Sequence, residues 1–243
     1  MNGAGRAAKL KKAKALGPRN AIPSGKFHLR IPFSLLLITD RKATAGIPLQ
    51  AAVATALSGG IDAVLLRDKD LPIRERLTLA RALRALTREH RASFIISASV
   101  DLCLAVDADG VHLPEDGLPV SAARRILGPR KLIGASTHSL AGLRAACRDG
   151  ADYATLGPVF ATPSKAAFGP PLGLDAFAEA CREAPLPTFA LGGVTCDRLG
   201  AVLSSGAAGA AMISAVLASP DPRSAARAFV ERFAALRKQR ERV

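Results

Sequence analysis

Five short segments of this sequence carry side chains that could hold a charged small molecule or move a proton. Arg67-Asp68-Lys69-Asp70 places two cations at alternate positions, so in an extended segment Arg67 and Lys69 project the same way, as clamping an anion requires. Ser136-Thr137-His138-Ser139 contains one of four histidines, and an imidazole can pass a proton near neutral pH, which makes His138 the acid–base candidate. Thr162-Pro163-Ser164-Lys165 joins two hydroxyls to a lysine, with Gly169-Pro170-Pro171 beyond it as the edge of a lid. Gly192-Gly193 lets backbone N–H groups approach an anion, and Ser214 stands where a loop leads into a helix N-terminus, so the two together suit a phosphate. Each segment has a plainer reading: a solvated charge run, a structural histidine, an exposed loop lysine, a tight turn at Gly193, a helix cap at Ser214.

The hydrophobic pattern supplies a scaffold that would bring these segments together. From Ser34 onward eight apolar runs alternate with helical patterns: SLLLIT (34–39), AVLL (63–66), SFIIS (93–97), GVHL (110–113), KLIGA (131–135), YATLG (153–157), TFALG (188–192) and GAAMIS (209–214). Between them, IRERLTLARALRALTREH (73–90) and LAGLRAACRDG (140–150) repeat apolar residues every three or four positions. A strand–helix unit repeated eight times closes into an α/β fold, the (β/α)8 TIM barrel, because each parallel crossover packs its helix outside the sheet. An open doubly wound sheet is the alternative. The barrel is favoured because the first strand–helix turn has no GxGxxG and because the polar segments follow many strands, where a barrel keeps its working loops. Gly150 and Gly206 fit the ends of helices, and a last helix over about 222–240 finishes in charged residues.

Composition bounds the rest. In 243 residues, 49% hydrophobic content is enough for one barrel domain, expected over 31–243. No apolar run reaches the roughly 18 residues of a membrane span and no secretory signal opens the chain, so the cytosol is the expected compartment and a membrane is not an expected partner. Cys103, Cys147, Cys181 and Cys196 lack metal-ligand or disulfide spacing and read as buried free thiols. The net charge of +14 is uneven: residues 1–30 hold eight Lys and Arg and no acid, and read as a disordered basic tail to which no function is assigned. With no Trp and one Tyr for base stacking, the folded part is expected to take a small anion and not a nucleic acid. A homo-oligomer is left open.

Taken in order, ITD (38–40), GGIDAVLLRDKD (59–70), ADGVHLPEDGLP (108–119), LIGASTHS (132–139), GADYATLGPVFATPSK (150–165), LGGVT (191–195) and MISAV (212–216) resemble the thiamine phosphate synthase/TenI family over about residues 34–219. The resemblance implies a (β/α)8 barrel of thiamine biosynthesis with one of two activities. The synthase joins hydroxymethylpyrimidine diphosphate to a hydroxyethylthiazole phosphate with Mg2+ and releases diphosphate. TenI-type members tautomerise a carboxythiazole phosphate. By resemblance Thr162, Ser164, Gly192, Gly193, Ile213 and Ser214 surround the thiazole phosphate, and Arg67, Lys69 and Lys165 match diphosphate-binding positions.

The departures from the synthase pattern decide the expectation. Leu65 stands where the synthase has a Gln, Ser97-Ala98 where it has Asn-Asp, and Gly117 where it has a second metal carboxylate. Mg2+ needs hard oxygen ligands, and only a shifted Glu115 or Asp116 could replace them. The expected activity is therefore a TenI-like thiazole tautomerase that needs no cofactor, with His138 as base and Arg67 or Lys69 on the substrate carboxylate. The alternatives are an atypical, Mg2+-dependent synthase, a non-catalytic thiazole or thiamine phosphate-binding regulator, and, from barrel logic alone, an aldolase using Lys165 or Lys69.

Overall fold

The computed structural model describes residues 31–162, 170–184 and 186–240. The basic tail, Ser164 and Lys165 lie outside the described residues. Eight parallel strands close into a barrel in sequence order, β1 (Leu35–Ile38), β2 (Ala63–Leu66), β3 (Ser93–Ser97), β4 (Gly110–Leu113), β5 (Leu132–Thr137), β6 (Tyr153–Leu156), β7 (Thr188–Ala190) and β8 (Gly209–Met212), with β8 pairing back onto β1. The helices α1 (Leu49–Ser58), α2 (Ile73–Glu89), α3 (Val100–Ala105), α4 (Val120–Leu127), α5 (Leu140–Arg148), α6 (Leu174–Glu183) and α7 (Leu199–Ser204) connect successive strands, and α8 (Ser214–Leu217) and α9 (Pro222–Arg240) follow β8. This is the (β/α)8 TIM barrel the apolar runs predict.

Pro48, Pro72 and Pro119 stand immediately before α1, α2 and α4, where a missing N–H costs no intrahelical bond. α2 shows why a polar sequence makes a packed helix: Ala80, Leu83 and Thr87 are buried on one face while Arg74, Glu75, Arg81, Arg88 and Glu89 are exposed. Strand side chains alternate between two cores. One set, including Val64, Leu66, Phe94 and Ile96, meets the helices, and the other, including Leu36, Ala63, Leu65, Ile95 and Ala211, fills the barrel. At the foot of the barrel, Phe33, Tyr153 and Phe189 pack ring to ring with centroids 5.4–5.6 Å apart.

Three aspartates pin strand starts to one another. Asp62, just before β2, accepts from the backbone N–H of Ser34 and Leu35 at 2.8 and 2.9 Å. Asp109, just before β4, accepts from Phe94 N–H at 2.7 Å and takes a fork from Arg84. Asp152, just before β6, accepts from Ile133 N–H at 2.8 Å and from Arg124 at 2.6 Å.

The cysteine expectation needs correction. Cys103 is buried, and burial pushes its thiol up to about 11, but Cys147, Cys181 and Cys196 are only half-buried. The first two sit on the flanks of outer-layer helices and the third in the β7–α7 loop, not on the barrel wall.

Removing the Asp152 carboxylate should expose the energetics of this pinning. Asp152→Ala leaves the largely buried Arg124 guanidinium with only backbone carbonyls of Gly128, Lys131 and Gly150 and no counter-charge, and Ile133 N–H without its acceptor, and should cost about 3–5 kcal/mol in urea-induced unfolding. A loss below about 1 kcal/mol would show that the carboxylate is dispensable for the register.

Candidate active site

The C-terminal ends of the strands form one mouth. On β2 the inner-face residue Leu65 carries the alternation forward to Arg67 and Lys69, both exposed. Their two acidic neighbours are spent on structure. Asp68 is buried, accepting from Thr39 Oγ1 at 2.5 Å and from Arg41 N–H at 2.9 Å, while Thr39 Oγ1 accepts from Arg67 N–H at 2.9 Å. Asp70 takes a fork from Arg41 and a contact from Lys42 at 2.9 Å, and these cations hold its carboxyl well below the usual carboxylate range. The charge run is thus divided: Asp68 and Asp70 tie the β1 and β2 loops together, whereas the Arg67 guanidinium has only a 3.9 Å approach to Asp40. Lys69 has no ion-pair partner among the described residues, and its charge is felt at His112 inside the barrel.

His112 is the main residue that reading the sequence left unassigned. It lies on β4, fully enclosed, with Nε2 3.0 Å from Ser136 Oγ and 3.2 Å from Thr155 Oγ1, and Nδ1 3.3 Å from Tyr153 OH. Gly134 makes the space: a Cβ there would stand 2.3 Å from the Tyr153 ring and 2.4 Å from His112 Nδ1. Burial, then the nearby Lys69 charge, pushes the imidazole down to about 3, so the ring is neutral at physiological pH, with one nitrogen donating and the other accepting. The signal was available, since in GVHL the histidine shares the inward face with Gly110.

His138 follows β5 and stands in the mouth, half exposed, its Nδ1 2.6 Å from Glu115 Oε2 of the β4–α4 loop. That contact leaves Nε2 as the nitrogen available to a ligand. Ser139, next in sequence, caps α5 by accepting from Gly142 N–H at 3.1 Å.

The double-glycine corner, expected to take a phosphate, lies at β7 and β8. Gly192 and Gly193 both adopt left-handed backbone, φ +93° and +65°. A Cβ on Gly193 would meet the Ala161 carbonyl oxygen and Phe160 Cβ at 2.8 Å, so only glycine fits this turn. Arg198, not foreseen from the sequence, donates to Gly193 O at 2.7 Å and lies 4.7 Å over the Phe160 ring, holding the turn from behind. Half-buried Ile213 leads into exposed Ser214 at the start of α8, and half-buried Thr162 ends the described part of the β6 loop. β8 and β2 are the two neighbours of β1, so this corner and the Arg67/Lys69 pair flank one strand, about 10 Å apart at the usual strand spacing. Glu115 and His138 belong to the opposite wall, on the loops after β4 and β5.

Residues 35–216 match the family model described as thiamine monophosphate synthase. The chain belongs to this family. A putative thiamine-phosphate synthase of Geobacter sulfurreducens is 50% identical over 201 residues, 83% of this chain and 94% of that one. The thiamine-phosphate synthase of Roseiflexus castenholzii is 43% identical over 195 residues, 80% of this chain and 86% of that one. The solved thiamine phosphate pyrophosphorylase from Pyrococcus furiosus superimposes with a TM-score of 0.77 at 36% identity, covering 84% of this chain and 97% of that one.

The Mg2+ that the family implies does not suit the residues present. Ser97 offers a hydroxyl and Ala98 nothing. A Cβ at Gly117 would stand 2.8 Å from the Pro114 ring, so the loop is packed where a carboxylate would have to project. Glu115 is engaged by His138, and the described residues contain no group of three or more His, Cys, Asp or Glu that could hold a metal. Ala98 nevertheless keeps a left-handed φ of +62°, a conformation that Asn, Asp and Gly adopt more readily than alanine.

The buried imidazole makes stability depend on pH in a stated direction. His112 titrates near 3 when folded and near 6.5 when unfolded, so between those values the unfolded chain binds the extra proton and stability falls as pH falls. Urea unfolding between pH 5.5 and 4.5 should lose about 1.4 kcal/mol per pH unit from this group, and about half that slope at pH 6.5. His112→Gln should flatten that slope, and an unchanged slope would contradict the assignment.

Proposed function

We propose that this chain is a thiamine-phosphate synthase, joining a hydroxymethylpyrimidine diphosphate to a hydroxyethylthiazole phosphate. One observation carries the reading: the mouth has two separate anion positions, Gly192-Gly193 with Ser214 on one side of β1 and Arg67 with Lys69 on the other, one for each phosphorylated substrate. The names of relatives 43–50% identical over most of their length support the same choice. The Gly193 turn and the start of α8, with Ile213 and Thr162 beside them, hold the thiazole phosphate. The thiazole nitrogen then bonds to the pyrimidine methylene carbon as the carbon–oxygen bond to diphosphate breaks, and the electron pair leaves on the diphosphate oxygen. Arg67 and Lys69 take up that charge, with Ser164 and Lys165 contributing from the β6 loop by resemblance. No step is routed through a metal, because the side chains that would carry one do not fit it.

A second reading, the thiazole tautomerase, is favoured by the His138–Glu115 pair. Making the carbon–nitrogen bond requires no base, whereas tautomerisation removes a proton from ring carbon and returns it to the exocyclic carbon. An imidazole fixed through Nδ1, with Nε2 facing a phosphate-tethered ring, has the arrangement that second chemistry needs.

The two readings separate in one pair of assays. With both substrates, assayed with and without added Mg2+, the synthase reading expects thiamine phosphate and diphosphate in stoichiometric amounts. Arg67→Ala should lower kcat by about 10²–10³, and His138→Ala should change it by less than about tenfold. If no thiamine phosphate forms, while the carboxythiazole phosphate tautomer is converted without metal and His138→Ala slows that conversion by about 10²–10⁴, the synthase assignment fails and the tautomerase takes its place.

A further inference from the structure

Three consecutive peptide groups after β7 have every carbonyl engaged. Leu191 O accepts from Val159 N–H at 2.9 Å, Gly192 O from Phe160 N–H at 3.0 Å and Gly193 O from the Arg198 guanidinium at 2.7 Å. These peptides are trans, so the N–H of Gly192, Gly193 and Val194 each points away from the partner of the carbonyl in its own peptide. None of the three N–H groups has a hydrogen bond among the described residues. The left-handed φ values of Gly192 and Gly193 suit such a run of N–H groups to a concave anion site.

Two of the carbonyls are held by backbone, which no side-chain substitution removes. The third is held by a side chain. Arg198 stands at the start of α7, where its N–H donates to Thr195 O and its carbonyl accepts from Val202 N–H, both at 3.1 Å. Its guanidinium is steadied a second time, 4.7 Å over the Phe160 ring on the β6 loop. The Gly193–Val194 peptide is thus fixed by a group anchored on two neighbouring loops.

We propose that Arg198 is a positioning residue for a phosphate monoester: by holding the Gly193 carbonyl it aims the Val194 N–H, together with those of Gly192 and Gly193, at the phosphate oxygens. The proposal rests on the assignment of this corner to the thiazole phosphate, and it holds for either chemistry, since both readings tether that group here. Without the guanidinium, the peptide after Gly193 is free to turn, because glycine opposes rotation least, and a carbonyl would then face the anion in place of an N–H. The charge of Arg198 adds an attractive field at the same corner.

The test is calorimetric titration of the full-length chain with hydroxyethylthiazole phosphate and with hydroxyethylthiazole, the same alcohol without its phosphate. Arg198→Met keeps the apolar stem and removes the guanidinium. It should weaken binding of the phosphate ester about 10–100-fold and leave the affinity for the alcohol unchanged. Arg198→Lys, which restores a cation and a donor, should recover most of the loss. In the synthase assay the loss should fall on KM for the thiazole phosphate, with KM for the pyrimidine diphosphate and kcat near their wild-type values. Undiminished affinity of Arg198→Met for the ester would overturn the inference. So would equal losses for ester and alcohol, which would show a corner that has only lost its shape. A wild-type protein that binds the ester no better than the alcohol would overturn the phosphate assignment itself, and the role of Arg198 with it. Calorimetry needs no turnover, so the inference is decided whichever of the two reactions the chain performs.

Discussion

Register is the constraint on which the rest of this molecule depends. Most of the strands are only four residues long, so each parallel ladder has few backbone hydrogen bonds with which to choose its alignment. A slip of one residue would turn every inner side chain outward. Asp62, Asp109 and Asp152 supply the missing specification, because each precedes a strand and grips the N–H groups that open the strand before it. With those starts pinned, alternation runs upward without ambiguity, and Leu65 inside the barrel obliges Arg67 and Lys69 to continue on the face that looks into the mouth.

The same alternation places a polar layer between the aromatic foot of the barrel and the working loops. His112, Ser136 and Thr155 occupy adjacent inner positions on β4, β5 and β6, and Tyr153 closes the group from below. An enclosed imidazole is tolerable because it is neutral and both ring nitrogens have hydroxyl partners. The hydroxyl of Ser136 joins this layer two residues before His138 on the same strand exit, so the buried network braces the wall that presents the His138–Glu115 pair.

Local pattern carried the fold. AVLL, SFIIS and GVHL are β2, β3 and β4 to the residue, since a buried parallel strand is apolar on both faces and its ends fall at polar or glycine residues. β5 runs two residues past KLIGA because Ser136 and Thr137, polar in sequence, still pair with Thr155 and Leu156. The positions of Arg67, His138, Gly193 and Ser214 at the strand exits were legible, because each belongs to a single short segment. The mouth was not legible where it is built by residues far apart in the chain. Glu115 read as a carboxylate free for a metal until its loop met His138, and Asp68 looked like one more charge until Thr39 and Arg41 buried it. Arg198 gave no signal at all, because its task is to hold a carbonyl five residues away across a turn.

The departures from the synthase pattern and the double-glycine turn occupy separate parts of the mouth. The residues that depart from the synthase pattern fall on one arc, Leu65 on β2, Ser97-Ala98 at the end of β3 and Gly117 beyond β4, while the corner at β7 and β8 has the double glycine and Ser214. These arcs share no loop, so change on one leaves the geometry of the other intact. Ala98 combines the two in a single residue: its backbone holds the left-handed turn that an Asn or Asp would occupy with less strain, but its side chain offers no oxygen. The turn persists because Ala98 N–H is bonded to the His112 carbonyl at 2.9 Å, tying it to the polar layer of the barrel. Backbone conformation in this arc is therefore dictated by the core, whatever side chain it displays.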